Sequence, residues 1–287
     1  MKQISTFLLL SISLWAYNQT SAFNIQGHRG ARGLYPENTI RGFIEALKMG
    51  ANTIELDVVI TSDSQVIVSH DWWIGNHICN NVTKNKSKFN IYKMTYREVQ
   101  QYDCGSKHHK RFPEQEKFHA YKPLLSEVFD SIEAFAASAN IALPHYNIEI
   151  KSTKKGDNKH HPEPELFTSL VYQVIKEKNV AQRSYIQSFD VRILHTLKEL
   201  NCFMPQALLS VNIGGAKSSL NKLKFAPTIY SPLYLLTSKS TVKKCHQLGI
   251  KVIPWTVNKR KKMKRMKAIG CDGVITDYPN IAVQELR

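Results

Sequence analysis

Gln26-Gly27-His28-Arg29-Gly30-Ala31-Arg32-Gly33-Leu34-Tyr35-Pro36-Glu37-Asn38-Thr39 is the stretch from which the rest of the chain is read. Asn24-Ile25-Gln26 enters it without a breaker, so it starts as a strand and then becomes a glycine-punctuated loop. Ile40, Phe43, Ile44 and Leu47 follow at helical spacing, which predicts a helix over 39–49 with Asn38 as its N-cap. A histidine and an arginine therefore stand where a strand gives way to a βα loop, the place where α/β folds keep their chemistry. Alone, His28 reads as an ordinary loop residue. Its company further along the chain changes that.

Gly50 stops the helix, and Ile54-Glu55-Leu56-Asp57-Val58 alternates so that Glu55 and Asp57 share one strand face. Ser62-Asp63-Ser64 turns the chain into Val66-Ile67-Val68, a strand ending at Ser69-His70-Asp71. Residues 72–124 break the pattern, being rich in Asn, Lys, His and Tyr, and read as a small inserted subdomain on the strand-end face. Cys79 and Cys104 share that irregular segment and are expected to pair.

From Leu125 strand and helix alternate again. The expectations are a helix capped by Ser126 with Val128, Phe129 and Ile132 on its stripe, and a strand over 146–151 with Glu149 and Lys151 on one face. A helix follows with Leu166, Leu170, Val171, Val174 and Ile175 on one side, then a strand over 185–189 with Asp190 capping the next helix. Short strands are expected around 203–208 and 228–230, a helical stripe at Val242, Cys245 and Leu248, and final strands over 251–257 and 273–277. That makes nine candidate strands, one more than a barrel needs, and the alternation predicts an α/β protein with a distorted TIM (β/α)8 barrel.

Met1 to Ala22 reads as a signal peptide: Lys2 supplies the positive start, Ile4 to Trp15 is mostly apolar, and Thr20-Ser21-Ala22 ends on small residues. The barrel domain is then 23–287. The apolar run is short of the roughly 20 residues that span a bilayer, so no transmembrane segment is expected and the product is placed outside the cytoplasm, periplasmic or secreted. A formal charge of +16 on 287 residues attracts anions, whether phosphate esters, nucleic acid or an acidic membrane. Five cysteines leave at least one unpaired. The basic run Lys259–Lys267, with Asn258 as cap and Met263, Met266 and Ile269 inward, reads as a solvated outer helix rather than a nucleic-acid patch. His108-His109 and His160-His161 are adjacent side chains that rarely converge on a metal.

The polar residues at strand ends form the candidate site. Glu55 and Asp57 from one strand and Glu149 from another make an all-oxygen set suited to a hard cation, Ca²⁺ or Mg²⁺, rather than zinc. His28 and His70 suit general base and general acid roles near neutral pH. Arg29 and Lys151 would hold an anionic group. Each carboxylate alone would be an ordinary ion pair, and Glu149 and Lys151 would satisfy each other. Seven such groups at three strand ends and one loop are harder to explain as structure.

His28-Arg29-Gly30, Pro36-Glu37-Asn38-Thr39, Glu55-x-Asp57, His70-Asp71, Glu149-Ile150-Lys151, Gln187-Ser188-Phe189-Asp190, Trp255-Thr256-Val257-Asn258 and Asp272 to Pro279 together resemble the glycerophosphodiester phosphodiesterase family. The resemblance covers nearly the whole chain after residue 22. It implies a distorted TIM barrel with a small insertion after the His-Asp strand, and cleavage of small-molecule glycerophosphodiesters to sn-glycerol 3-phosphate and an alcohol. It implies Glu55, Asp57 and Glu149 as ligands of one divalent cation, Ca²⁺ ahead of Mg²⁺, and His28 and His70 as the acid–base pair; which of the two is the first base is left open, with His28 preferred. It further implies Arg29 and Lys151 on the phosphate, Glu37 near the ion or the glycerol hydroxyls, and Phe189 and Trp255 walling the glycerol side. The basic insertion, with Lys84, Lys86, Lys88, Lys107, Lys110 and Arg111, would cover the mouth and bear on which alcohol is accepted. One rival is a phospholipase D-like enzyme acting on lysophospholipids or sphingolipids, which would need an apolar ramp; no long exposed apolar run is seen in the sequence to build one. The other rival is a non-catalytic basic protein binding surfaces or nucleic acid, which would be expected to lose some of the two histidines or three carboxylates. Oligomeric state is left open.

Overall fold

The computed structural model describes residues 23–83, 89–200, 204–211 and 213–287. Its strands are β1 (Asn24–His28), β2 (Thr53–Ile60), β3 (Val66–Val68), β4 (His145–Ile150), β5 (Ser184–Ser188), β6 (Gln206–Ser210), β7 (Ile229–Pro232), β8 (Lys251–Val252) and β9 (Gly273–Thr276). Its α-helices are α1 (Ile40–Lys48), α2 (Tyr96–Val99), α3 (Leu125–Ser138), α4 (Pro164–Glu177), α5 (Val191–Glu199), α6 (Gly215–Leu223), α7 (Lys239–Gln247), α8 (Arg260–Ala268) and α9 (Pro279–Leu286).

The surplus ninth strand is β3. It pairs antiparallel with β2 through the tight turn closed by the Thr61 amide on the Gln65 carbonyl, and so folds back as a hairpin arm. The other eight run parallel in the order β8-β7-β6-β5-β4-β2-β1-β9. Backbone bonds from the Asp272, Val257 and Ile275 amides, at 2.9–3.0 Å to Val252, Ile275 and Pro254 carbonyls, join β9 to the β8 segment and close the barrel. The fold is a (β/α)8 barrel, as the alternation predicted. The main core lies between strands and helices, with Ile25, Ile54, Phe129, Ile148 and Phe167 fully buried. The barrel interior is divided: Gln26, Glu55, Asp57, Asn147, Glu149 and Gln187 fill the β1–β5 side, while Ala207, Ile229, Ile253 and Ile275 fill the other.

Several helix details differ from expectation. Thr39, not Asn38, caps α1, its hydroxyl accepting from the Gly42 amide. Asn38 sits at φ +57 and turns its side chain to Asp57 instead. The N-cap of α3 is Leu124, whose amide donates to Glu127; Ser126 is inside the helix. Lys259 caps α8, because Asn258 is spent on Thr276 and Asp277. Leu166 and Leu248 are exposed, while Phe167 and Val242 carry the burial of their helices. The basic residues of α8 face out over buried Met263 and Met266.

Between β3 and α3 the chain builds a second apolar cluster, including Ile67, Ile74, Phe89, Ile91 and Val99. The Cys79–Cys104 disulfide crosses it. Cys245 and Cys271 are buried thiols. Cys202 and Phe203, Lys84, Lys86 and Lys88, and the leader over 1–22 lie outside the described residues.

Candidate active site

Strand register assembles the carboxylates. Asp57 on β2 stands beside Glu149 on β4, and Glu55 lies two residues back on the same face. Ligand atoms from Glu55, Asp57 and Glu149 lie within 4.8 Å of one another, all three side chains buried. The loop after β1 reaches them through a left-handed turn: Arg29 has φ +52 and Gly30 φ +87. A Cβ at Gly30 would stand 2.7 Å from the Gly42 carbonyl, so only glycine fits between this loop and α1. The turn aims the Arg29 amide at Glu55 Oε2, 2.9 Å away, and its guanidinium at Glu37 (3.0 Å) and Asp57 (3.1 Å). Gln187 Nε2 donates to Glu55 Oε1 at 2.7 Å, and Asn38 Nδ2 to Asp57 Oδ2 at 2.9 Å. Lys151 Nζ donates to Glu149 Oε1 at 2.6 Å and lies 3.6 Å from Asp57 Oδ1.

The three carboxylates differ in how their charge is balanced. Burial pushes Glu55 well above the usual carboxylate range, and Asp57 and Glu149 push it further against the pull of Arg29. Burial also raises Glu149, with Lys151 opposing and Asp57 adding. Asp57 is buried too, yet Arg29, His70, Lys151 and the Asn38 bond hold it well below that range. Its Oδ1 is buried and accepts no hydrogen bond among the described residues. Three converging acids, one pushed upward by burial and by the other two and one with an orphaned oxygen, fit a hard divalent cation.

Each histidine is backed by a carboxylate. His28 Nδ1 lies 2.6 Å from Asp277 Oδ1, and Asn258 Nδ2 donates to Asp277 Oδ2 at 2.6 Å. Burial favours the neutral acid at Asp277, but His28, Arg32 and Asn258 outweigh it and hold the group at about 2. The carboxylate can only accept, so His28 Nδ1 carries the proton and Nε2 is the free base. Burial lowers His28 to about 4, against the pull of Asp277, so the ring is neutral at pH 7. His70 Nδ1 lies 2.8 Å from Asp71 Oδ1 in the same way. Asp277→Asn offers Nδ1 a donor in place of an acceptor and selects the wrong tautomer. We expect kcat to fall at least about 10²-fold with the melting temperature little changed; turnover near wild type would remove Asp277 from the site.

His28, Arg29, Glu37, Glu55, Glu149, Lys151, His70, Phe189 and Trp255 line one cavity of about 570 Å³ at the barrel mouth, with Asp57 beneath it. Phe189 and Trp255 meet edge to face, centroids 5.5 Å apart. Glu37 stands outside the carboxylate cluster, its two oxygens engaged by Arg29 and Arg32 at 3.0 Å each, so it braces the arginines. His161 is buried, accepting the Thr153 amide, and His160 stacks on Trp72; among the described residues neither joins a metal cluster. Sequence reasoning gave no part in the site to Asp277, Asp71, Gln187, Arg32 or Asn38. All but Arg32 stand inside the motifs quoted above, and an acid adjacent to His70 was the available signal.

An α/β barrel with a buried three-carboxylate cluster and two carboxylate-backed histidines at its mouth is an enzyme equipped for acid–base chemistry on an anionic ester. The glycerophosphoryl diester phosphodiesterase family model matches residues 28–281, and the chain belongs to that family. It is 31% identical over 260 residues to a glycerophosphodiester phosphodiesterase of Caldanaerobacter subterraneus subsp. tengcongensis, covering 91% of this chain and 96% of that one. It is 29% identical to a human lysophospholipase D, with 88% and 82% covered. A crystal structure of a family protein from Silicibacter pomeroyi DSS-3, 27% identical, superposes with a TM-score of 0.82 over 93% of this chain and 94% of that one.

Proposed function

We propose that the chain hydrolyses glycerophosphodiesters to sn-glycerol 3-phosphate and an alcohol through a cyclic phosphate. The observation that carries this is the convergence of the three carboxylates and both carboxylate-backed histidines on one cavity. Glu55, Asp57 and Glu149 would hold one divalent ion, Ca²⁺ ahead of Mg²⁺ because an irregular carboxylate cluster suits the less demanding ion. When bound, the ion supplies Lewis-acid polarisation of the phosphate. Arg29 and Lys151 orient the phosphate. His28 Nε2 takes the proton of the glycerol 2-hydroxyl, whose oxygen forms a bond to phosphorus as the bond to the alcohol oxygen breaks. His70 donates a proton to the departing alcohol. In the second half the roles reverse: His70 takes a proton from water, whose oxygen bonds to phosphorus as the bond from phosphorus to the glycerol 2-oxygen breaks, and His28 returns its proton to that oxygen.

The segment after His70-Asp71 is read as an inserted subdomain, and residues 1–22 as a leader that directs the protein out of the cytoplasm, periplasmic or secreted. The Cys79–Cys104 disulfide supports an oxidising compartment.

A second reading has a specific observation behind it. An apolar strip that no run of sequence supplied comes from strand ends: Phe189, Val191, Leu208, Leu209 and Val211 line a groove of about 270 Å³ whose remaining wall is Ser210, Ser219 and Lys222. Phe189 and Leu209 also line the main cavity, so the groove adjoins it. A 1-acyl lysophospholipid keeps the 2-hydroxyl the mechanism needs and would lay its chain there. The test is a panel of glycerophosphocholine and lysophosphatidylcholine with products identified by mass. Glycerol 3-phosphate release supports the first reading, faster lysophosphatidic acid release supports the second, and release of neither contradicts both.

A further inference from the structure

Among the described residues, four arginine or lysine side chains line the cavity: Arg29, Arg32, Arg111 and Lys151. Three are paired inside the site, Arg29 with Glu37 and Asp57, Arg32 with Glu37, and Lys151 with Glu149. Arg111 differs. It has no ion-pair partner among the described residues, and it lies exposed over the Phe112 ring, 5.2 Å from the centroid. Phe112 itself is buried and carries Arg32 at 4.8 Å, so it fixes both guanidinium groups against the mouth.

Two histidines of the same segment line the cavity beside it. His109 Nδ1 accepts the Arg111 and Phe112 amides at 3.1 and 3.2 Å, which leaves Nε2 to carry the proton and act as a donor. His77 meets His109 edge-on, centroids 6.5 Å apart. The disulfide holds this lip together by tying the turn after His77 to the irregular segment leading to His109. Lys107 Nζ also crosses to the Asn76 and Cys79 carbonyls. The opposite wall, with Phe189, Leu209, Leu233 and Trp255, carries no charge.

A glycerophosphodiester has its phosphate at the centre, a neutral glycerol on one side and the alcohol on the other. With glycerol on the uncharged wall, the alcohol extends under Arg111, His109 and His77. We infer that this lip is the subsite for the leaving alcohol and selects alcohols bearing a second anionic group, a phosphomonoester or carboxylate, over quaternary ammonium alcohols. The inference rests on the phosphodiesterase reading. An unpaired guanidinium fork beside a neutral N–H donor is a receptor for such a group, and the same charge repels choline.

The test compares kcat/KM for glycerophosphocholine, glycerophosphoinositol and glycerophosphoinositol 4-phosphate, read by glycerol 3-phosphate release. The full-length protein is compared with Arg111→Glu and Arg111→Lys, with melting temperatures confirming that each is folded. The wild type is expected to favour the phosphorylated inositol over choline by about tenfold or more. Arg111→Glu should reverse that order, and Arg111→Lys should keep it by a smaller margin. Choline used as well as the phosphorylated inositol, both inositols used equally, or a ratio unmoved by Arg111→Glu would overturn the inference while leaving the phosphodiesterase reading intact. No turnover of any of the three would overturn both.

Discussion

His28→Ala and His70→Ala should each lower kcat by about 10²–10⁴-fold. The two losses differ in kind. His28 has its Nδ1 committed to Asp277 and a pKa held at about 4, so it is neutral and ready to accept a proton at neutral pH. His70, backed by Asp71, has the donor's part in the first half-reaction. A glycerophosphodiester with a p-nitrophenyl leaving group needs no protonation to depart. Its first step should therefore recover much of the lost rate in His70→Ala and little in His28→Ala. Rescue of the other variant would exchange the roles, and near wild-type turnover of either would remove that histidine from the mechanism.

Glu55→Gln should weaken ion binding by at least the roughly 10–100-fold that changes around a metal site commonly cost. Glu55 accepts both the Arg29 amide and Gln187 Nε2, so the glutamine has one oxygen for two donors and an NH₂ that faces one of them. The pH dependence should change with it. Because burial and its acidic neighbours raise the Glu55 pKa, the wild-type group is protonated as pH falls and must lose that proton to take up a cation. Wild-type affinity for Ca²⁺ should thus weaken with falling pH and binding should release protons, whereas Glu55→Gln should show a flatter dependence. Titration calorimetry in two buffers of different ionisation heat reads both quantities. Equal proton release in the two proteins would remove Glu55 as the titrating group.

Much of this architecture is legible because strands and helices carry local periodicity. Glu55 and Asp57 are two apart on a strand, and that alone puts them on one face; β4 then brings Glu149 alongside. What escaped depends on pairing partners or on side chains satisfied across the fold. The Val66–Val68 strand looks like any other until its antiparallel return onto β2 removes it from the barrel. Asn38 has the residue type and position of a cap, but its left-handed backbone sends the amide to Asp57 and leaves Thr39 to cap α1. Asp277 reaches His28 across 249 residues of chain, and the apolar groove joins the ends of β5 and β6. No local pattern encodes either.

The most direct measurement is sn-glycerol 3-phosphate release from glycerophosphocholine by protein stripped with a chelator, before and after Ca²⁺ is restored, with Glu55→Gln assayed beside it. The site described here predicts no release from the stripped protein, recovery on adding the ion, and little recovery in the variant at the same Ca²⁺. Full release without the ion, or an unimpaired Glu55→Gln, would contradict the assignment of the carboxylate cluster as the catalytic ion's site.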